Sequence, residues 1–191
     1  MPFHNFVALR ARPRNLCRLR RTAFRDKLAP MPLKTQEIAV LFVCTGNICR
    51  SPTAHAVFWH KVREAGLDAH FRIESAGTHG YHIGDPSDPR AVATAWTRGG
   101  VDMSDLRARK IKPSDFGEFD YILAMDNGHH RILKDLYDRP QRAGLAMFLT
   151  GAAADVPDPY YGTQRDFDHV YDLVEAECDA LLSRLRVKHG L

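Results

Sequence analysis

Ile38-Ala39-Val40-Leu41-Phe42-Val43-Cys44-Thr45-Gly46-Asn47-Ile48-Cys49-Arg50-Ser51-Pro52 joins an apolar run to a polar loop and then to a helical pattern. The unbroken, β-branched run from Ile38 to Val43 predicts a strand buried on both faces of a parallel sheet. Ser51 followed by Pro52 reads as an N-cap and first helical residue. A loop between such a strand and such a helix gathers backbone N–H groups at the positive end of a helix dipole, which makes an anion site. Cys44 opens this loop and Arg50 closes it. A thiol is a weak nucleophile until ionised, and a helix N-terminus beside cationic charge favours the thiolate. The planar fork of Arg50 matches two oxygens of a phosphate, which a lysine could not reproduce. Cys-x5-Arg in this setting suits attack by sulfur on phosphorus. The loop lacks the Gly-Lys-Ser/Thr of a Walker A motif.

Working outward, Ala54, Val57, Phe58, Val62 and Ala65 fall at helical spacing, and Gly66 ends that helix. Phe71 to Ser75 alternates like a short strand. A loop from Thr78 to Pro86 follows, and Asp88-Pro89 starts a helix with Val92, Ala95 and Trp96 on its buried face. Residues 102–115 are polar and basic, as expected of a surface connection with one helical turn. Tyr121 to Met125 and Leu145 to Leu149 are expected as the third and fourth strands, with Asp126 capping a helix that runs to about Tyr137. His129-His130 is expected on a helix surface. Phe167, Val170, Tyr171, Val174, Cys178, Leu181, Leu182 and Leu185 trace one stripe of a final helix. Alternating strands and helices predict an α/β fold with a parallel sheet, whose ligands bind beyond the carboxyl ends of the strands.

Composition sets the outer bounds. A chain of 191 residues that is 45% hydrophobic and 26% charged fits one soluble α/β domain. No apolar run approaches the roughly 20 residues needed to span a bilayer, so no membrane association is expected. Four cysteines without a secretory signal point to a reducing, cytoplasmic setting. Scattered histidines, with neither His-Glu-x-x-His nor Cys-x-x-Cys, predict no metal or other cofactor. The net charge of +4 misleads. Residues 1–30 hold eight Arg and Lys against Asp26 alone, a charge of +7, which leaves −3 for the remainder. The high pI is therefore no sign of nucleic-acid binding. Residues 1–36 are expected as a basic extension, either disordered or upstream of a true start at Met31; an arm docking on anionic surfaces is the alternative. The domain is expected over residues 37–191.

The loop Val43-Cys44-Thr45-Gly46-Asn47-Ile48-Cys49-Arg50-Ser51-Pro52 resembles the signature of the low-molecular-weight protein tyrosine phosphatases. The resemblance continues through Ser75-Ala76-Gly77, Phe119 to Asp126 and Asp158-Pro159-Tyr160-Tyr161-Gly162, over about residues 37 to 187. It implies a three-layer sandwich, a four-stranded parallel sheet flanked by helices (phosphotyrosine phosphatase I-like). It also implies a monomeric phosphatase of phosphotyrosine proteins working through a cysteinyl-phosphate. Cys44 would be the nucleophile and Arg50 the anion clamp. Thr45, Gly46, Asn47, Ile48, Cys49, Arg50 and Ser51 would cradle the phosphate, with Ser51 bonded to the thiolate and Asn47 fixing the loop. Asp158 would be the general acid, although Asp155 is also within the same loop. Tyr81, Tyr160 and Tyr161 would wall the crevice, and Cys49 would capture oxidised Cys44. One departure is Gly99, where many members carry a histidine that supports the loop. A phosphoarginine phosphatase is the nearest alternative. An arsenate reductase would need relay cysteines, and none lies between Cys49 and Cys178. A non-enzymatic phosphate sensor is the remaining reading.

Overall fold

A computed structural model describes residues 37–136, 143–151 and 155–191. The expectations for residues 1–36 and for Tyr137 lie outside the described residues. Seven residues, Ile38–Cys44, form β1, and every one of them is buried. It lies between β2 (Phe71–Gly77) and β3 (Tyr121–Ala124), and β4 (Gly144–Met147) pairs beyond β3. All three pairings are parallel, so the described sheet has the order β2-β1-β3-β4. β3 and β4 are shorter at their carboxyl ends than expected: Met125, Phe148 and Leu149 already belong to loops, though all three remain buried.

Side-chain alternation along β1 feeds two cores, one on each side of the sheet. Val40 and Phe42 point toward α1 (Arg50–Glu64), α2 (Pro89–Gly99) and α5 (Gln164–His189). Phe42 makes edge-to-face contacts there with Phe58 and Phe148, at 5.8 and 5.4 Å between centroids. Cys178 sits in this core, fully buried. Ala39, Leu41 and Val43 point the other way, toward Phe116 of the short α3 (Asp115–Glu118) and Leu133 of α4 (Asn127–Leu136). This double burial explains why β1 reads as a continuous apolar run.

β1 is central, and the chain leaves it first toward β2 and later toward β3. The order therefore reverses beside β1, and a crevice opens at the carboxyl end of that strand. Asp88 caps α2 as expected, accepting from the Arg90 N–H at 2.9 Å, with Pro89 in the first turn. The buried face of α2 differs from expectation. It consists of Ala91, Thr94 and Ala95, whereas Trp96 is 64% exposed. The helix meets α5 one residue out of phase with the reading from apolar spacing alone.

Candidate active site

Cys44 ends β1 and Arg50 begins α1, so residues 45–49 must reverse the chain within one tight curl. Asn47 makes this possible with φ 59°, a left-handed conformation that asparagine tolerates better than most residues. The turn brings the Asn47 N–H to 3.3 Å from Cys44 Sγ. Its side chain, 2% exposed, is satisfied on both ends. Nδ2 donates to Ser51 Oγ at 3.0 Å and to Ser75 Oγ at 2.9 Å, while Oδ1 accepts the Arg109 N–H at 2.9 Å. Gly77 lets the strand after Ser75 run against this curl: a Cβ there would stand 2.6 Å from the Thr45 carbonyl oxygen.

Ser51 is not the helix cap. α1 starts two residues earlier than such a cap would allow, at Arg50 with Cys49 in the N-cap position, and Ser51 Oγ turns inward to 3.0 Å from Cys44 Sγ. The Ala76 carbonyl, 3.2 Å away, is a second acceptor for its hydroxyl. A hydroxyl has one proton. Because Asn47 fills one lone pair of Oγ, that proton is left for either the sulfur or the carbonyl, and a thiolate would win it.

Arg50 is 4% exposed, and both of its Nη nitrogens are engaged. Nη1 donates to Asp126 Oδ2 at 2.8 Å and to the Val156 carbonyl at 3.1 Å. Nη2 donates to Asp158 Oδ2 at 2.8 Å and more weakly to Thr45 Oγ1 at 3.4 Å. Asp126 caps α4 as expected, accepting the His129 N–H at 2.8 Å, but it also anchors Arg50. Burial opposes its charge; the close His129 side chain, the hydrogen bond from the His129 N–H and the nearby Arg50 charge outweigh this and hold Asp126 well below the usual carboxylate range. Asp155 instead accepts from the backbone and side chain of Asn127, both at 2.8 Å, which ties it to the start of α4. Of Asp155 and Asp158, it is Asp158 that reaches Arg50.

A cavity of about 260 Å³ stands over the loop. Cys44, Thr45, Gly46, Ile48, Cys49 and Arg50 form its floor, and Asp158, Tyr81, Tyr160 and Tyr161 its walls. The side chains of Asn47 and Ser51 lie behind the floor. Tyr81 stacks on His79 at 5.2 Å, and Tyr160 meets Tyr161 edge-to-face at 4.9 Å. Tyr161 is 95% exposed, a large apolar surface left open at the mouth. His82 also lines the cavity, with Nδ1 held 3.1 Å from Asp85. Burial pushes the Cys49 thiol up, and the Asp88 carboxylate adds to the effect. Burial pulls His55, behind the loop at 3.4 Å from Ser75 Oγ, down to about 4, and Arg109 reinforces it.

The profile described as low molecular weight phosphotyrosine protein phosphatase matches residues 39–190. The chain belongs to that family. It is 41% identical over 155 residues to a low molecular weight protein-tyrosine-phosphatase of Streptomyces coelicolor, covering 77% of this chain and 93% of that protein. Its fold superposes with TM-score 0.70 on the protein tyrosine phosphatase of Entamoeba histolytica crystallised with Hepes in the active site. That match has 34% identity and covers 81% of this chain and 99% of the other. A drosophila arginine phosphatase superposes with TM-score 0.71 at 27% identity, covering 77% of this chain and 97% of the other.

Several features of this family member were not anticipated. His129 is not on a helix surface: it is 4% exposed, with Nε2 2.7 Å from Thr45 Oγ1. The Asp126-x-x-His129 spacing at a helix start, which puts both residues on one face, was the available signal. The connection from 102 to 115 is no mere surface strap. Met103, Ala108 and Ile111 are buried, and Arg109 pairs with Asp115 and Glu74 while its N–H holds Asn47. Gly99 does not border the anion loop. It lies at the end of α2, where a Cβ would stand 2.1 Å from Tyr171 Oη. Asn47 is supported instead by Ser51, Ser75 and Arg109.

Proposed function

We infer that this family member hydrolyses phosphotyrosine in protein substrates, and small aryl phosphates, through a cysteinyl-phosphate. The observation that carries this is the placement of Cys44 Sγ on the cavity floor, with Arg50 and Asp158 on the same cavity and aromatic walls above. Cys44 Sγ forms a bond to phosphorus as the bond to the phenolic oxygen breaks. Arg50 and the loop N–H groups hold the three equatorial oxygens, where charge accumulates in the transition state. Asp158 gives its proton to the departing phenolate and then takes one from the water that cleaves the S–P bond, releasing inorganic phosphate. Before the first of these steps the Arg50–Asp158 pair has to open. Three free thiols among the described residues, Cys44, Cys49 and Cys178, suit a reducing, cytoplasmic setting. No helix among the described residues is long and apolar enough to cross a membrane. The proposed substrates are phosphoproteins met by a monomer, with no role for nucleic acid.

The likeness to an arginine phosphatase supports a second reading, and Ile48 discriminates between the two. Its side chain on the cavity floor presents only apolar surface. Leaving N–H groups of phosphoarginine without partners there would cost roughly 1–3 kcal/mol each. A phenyl ring packed at the mouth against the outer faces of Tyr160 and Tyr161, which already touch each other edge-to-face, gains about 0.5–1.5 kcal/mol per aromatic contact beyond burial. The measurement is kcat/KM on phosphotyrosine and phosphoarginine peptides of one sequence. Tyrosine should win in the wild type, with the margin shrinking in Ile48→Thr. A wild-type preference for phosphoarginine overturns the assignment.

Cys49 shares the cavity with Cys44 and is proposed to protect it. Hydrogen peroxide would convert Cys44 to the sulfenic acid, and the Cys49 thiol would condense with it, forming a disulfide and releasing water. Because burial and Asp88 disfavour the Cys49 thiolate, capture should be slow at neutral pH and faster as pH rises. After peroxide and then dithiothreitol, wild type should regain its activity and Cys49→Ser should not. Equal recovery removes the role.

A further inference from the structure

Behind Arg50 a histidine joins two of the groups that hold the guanidinium. His129 Nε2 lies 2.7 Å from Thr45 Oγ1, and Nδ1 lies 2.9 Å from Asp126 Oδ1. The second contact bends away from ideal hydrogen-bond geometry, and Nδ1 has no other partner among the described residues. Thr45 Oγ1 and Asp126 Oδ2 both contact Arg50, so the four side chains close a ring: Arg50, Thr45, His129, Asp126 and back to Arg50. We propose that His129 is a positioning residue for Arg50, holding Thr45 and Asp126 at once so that the guanidinium keeps one orientation while charge develops on the transferred phosphoryl group.

The physical case rests on what each group could otherwise do. A threonine hydroxyl and a carboxylate both rotate, and either rotation would move an acceptor away from Arg50. The His129 N–H donates to Oδ1 of Asp126 and Nδ1 stands 2.9 Å from the same oxygen, which leaves Oδ2 aimed at Arg50 Nη1. Nε2 fixes Oγ1 of Thr45 on the side facing Arg50 Nη2. When phosphate enters, Nη2 must exchange Asp158 for a phosphate oxygen. Thr45 and Asp126 are then the side chains that still locate the fork, and one imidazole anchors both. The alternative is that His129 merely fills space in the first turn of α4.

This inference rests on the phosphatase reading, and its test separates the two. Competitive inhibition by orthovanadate, which copies the five-coordinate transition state, and by inorganic phosphate, which does not, is measured beside kcat/KM on p-nitrophenyl phosphate and the melting temperature. His129→Leu should lower kcat/KM roughly tenfold, mainly through kcat, less than the roughly hundredfold loss from deleting a donor that touches the oxygens. Vanadate should weaken several-fold more than phosphate, because a misaimed guanidinium loses most in the transition state. Thr45→Val should change both quantities in the same sense, Thr45→Ser should restore them, and Thr45→Val should add nothing to His129→Leu. A lowered melting temperature with equal weakening of both anions, or losses that multiply in the double variant, overturns the proposal in favour of packing. If His129→Leu does not fold, Thr45→Val matching wild type overturns it equally well. A wild type inert toward aryl phosphates would instead sink the proposed function.

Discussion

Cys44→Ser should leave no measurable turnover of phosphotyrosine peptides, a loss of about 10⁴-fold or more, as for removal of other covalent nucleophiles. A serine hydroxyl at the floor of the loop would meet the same Asn47 N–H and Ser51 hydroxyl, but these cannot make an alkoxide at neutral pH. The variant should still bind inorganic phosphate, because the amides and Arg50 remain. Arg50→Ala should be nearly as severe, about 10³-fold, since it removes the fork that meets the transferred oxygens. It also strips the shared cation from Asp126 and Asp158, leaving two carboxylates to repel the incoming dianion. Arg50→Lys should not rescue it, because a single ammonium cannot span Asp126, Thr45 and a phosphate oxygen together. Steady-state rates with peptide and aryl substrates check this, and more than a tenth of wild-type activity in Cys44→Ser would remove the covalent mechanism.

The second large effect concerns the leaving group. Asp158→Ala should slow hydrolysis of phosphotyrosine by about 10²–10³-fold, because tyrosine departs as a phenolate of pKa about 10 and needs a proton. p-Nitrophenolate leaves readily without one, so its loss should be smaller by an order of magnitude or more. A plot of log kcat/KM against leaving-group pKa should therefore steepen in the variant. Parallel plots would mean that Asp158 is not the acid. Asp155→Ala is the internal control: its carboxylate is committed to Asn127, so the slope should stay at the wild-type value.

Much of the fold was legible because β1 is buried on both faces and its sequence shows it directly. Cys44 and Arg50 were equally legible, since a thiol and a guanidinium five residues apart after a strand have little else to do together. Asp158 needed the following Tyr160-Tyr161-Gly162, because Asp-Pro alone marks many turns. Other parts depend on tertiary placement. Trp96 and His129 were put on the wrong side of their helices because the spacing of a short helix leaves its phase against the sheet open by one residue. Arg109 reaches Asn47 only because Gly77 and Lys110 bridge two segments far apart in the chain, which no local pattern records. Ser51 obeys a sound rule for caps, yet the helix starts two residues earlier and the hydroxyl is spent on the sulfur.

The Arg50–Asp158 contact has a kinetic consequence. The site carries an anion of its own, so on the proposed mechanism each turnover would begin and end with an exchange of carboxylate for phosphate on one guanidinium nitrogen. Asp158 is 48% exposed while Arg50 is buried, so solvent screens the pair from one side and its worth is on the order of 1 kcal/mol. That corresponds to a reduction of about fivefold in affinity for any phosphate. The reduction falls on substrate and product alike. Inorganic phosphate, which fills the loop as well as the substrate's own phosphoryl group does, is met on its way out by a tethered competitor at high local concentration. On the proposed mechanism, the carboxylate that starts the reaction as an acid would thus also hasten its end by helping to expel the product.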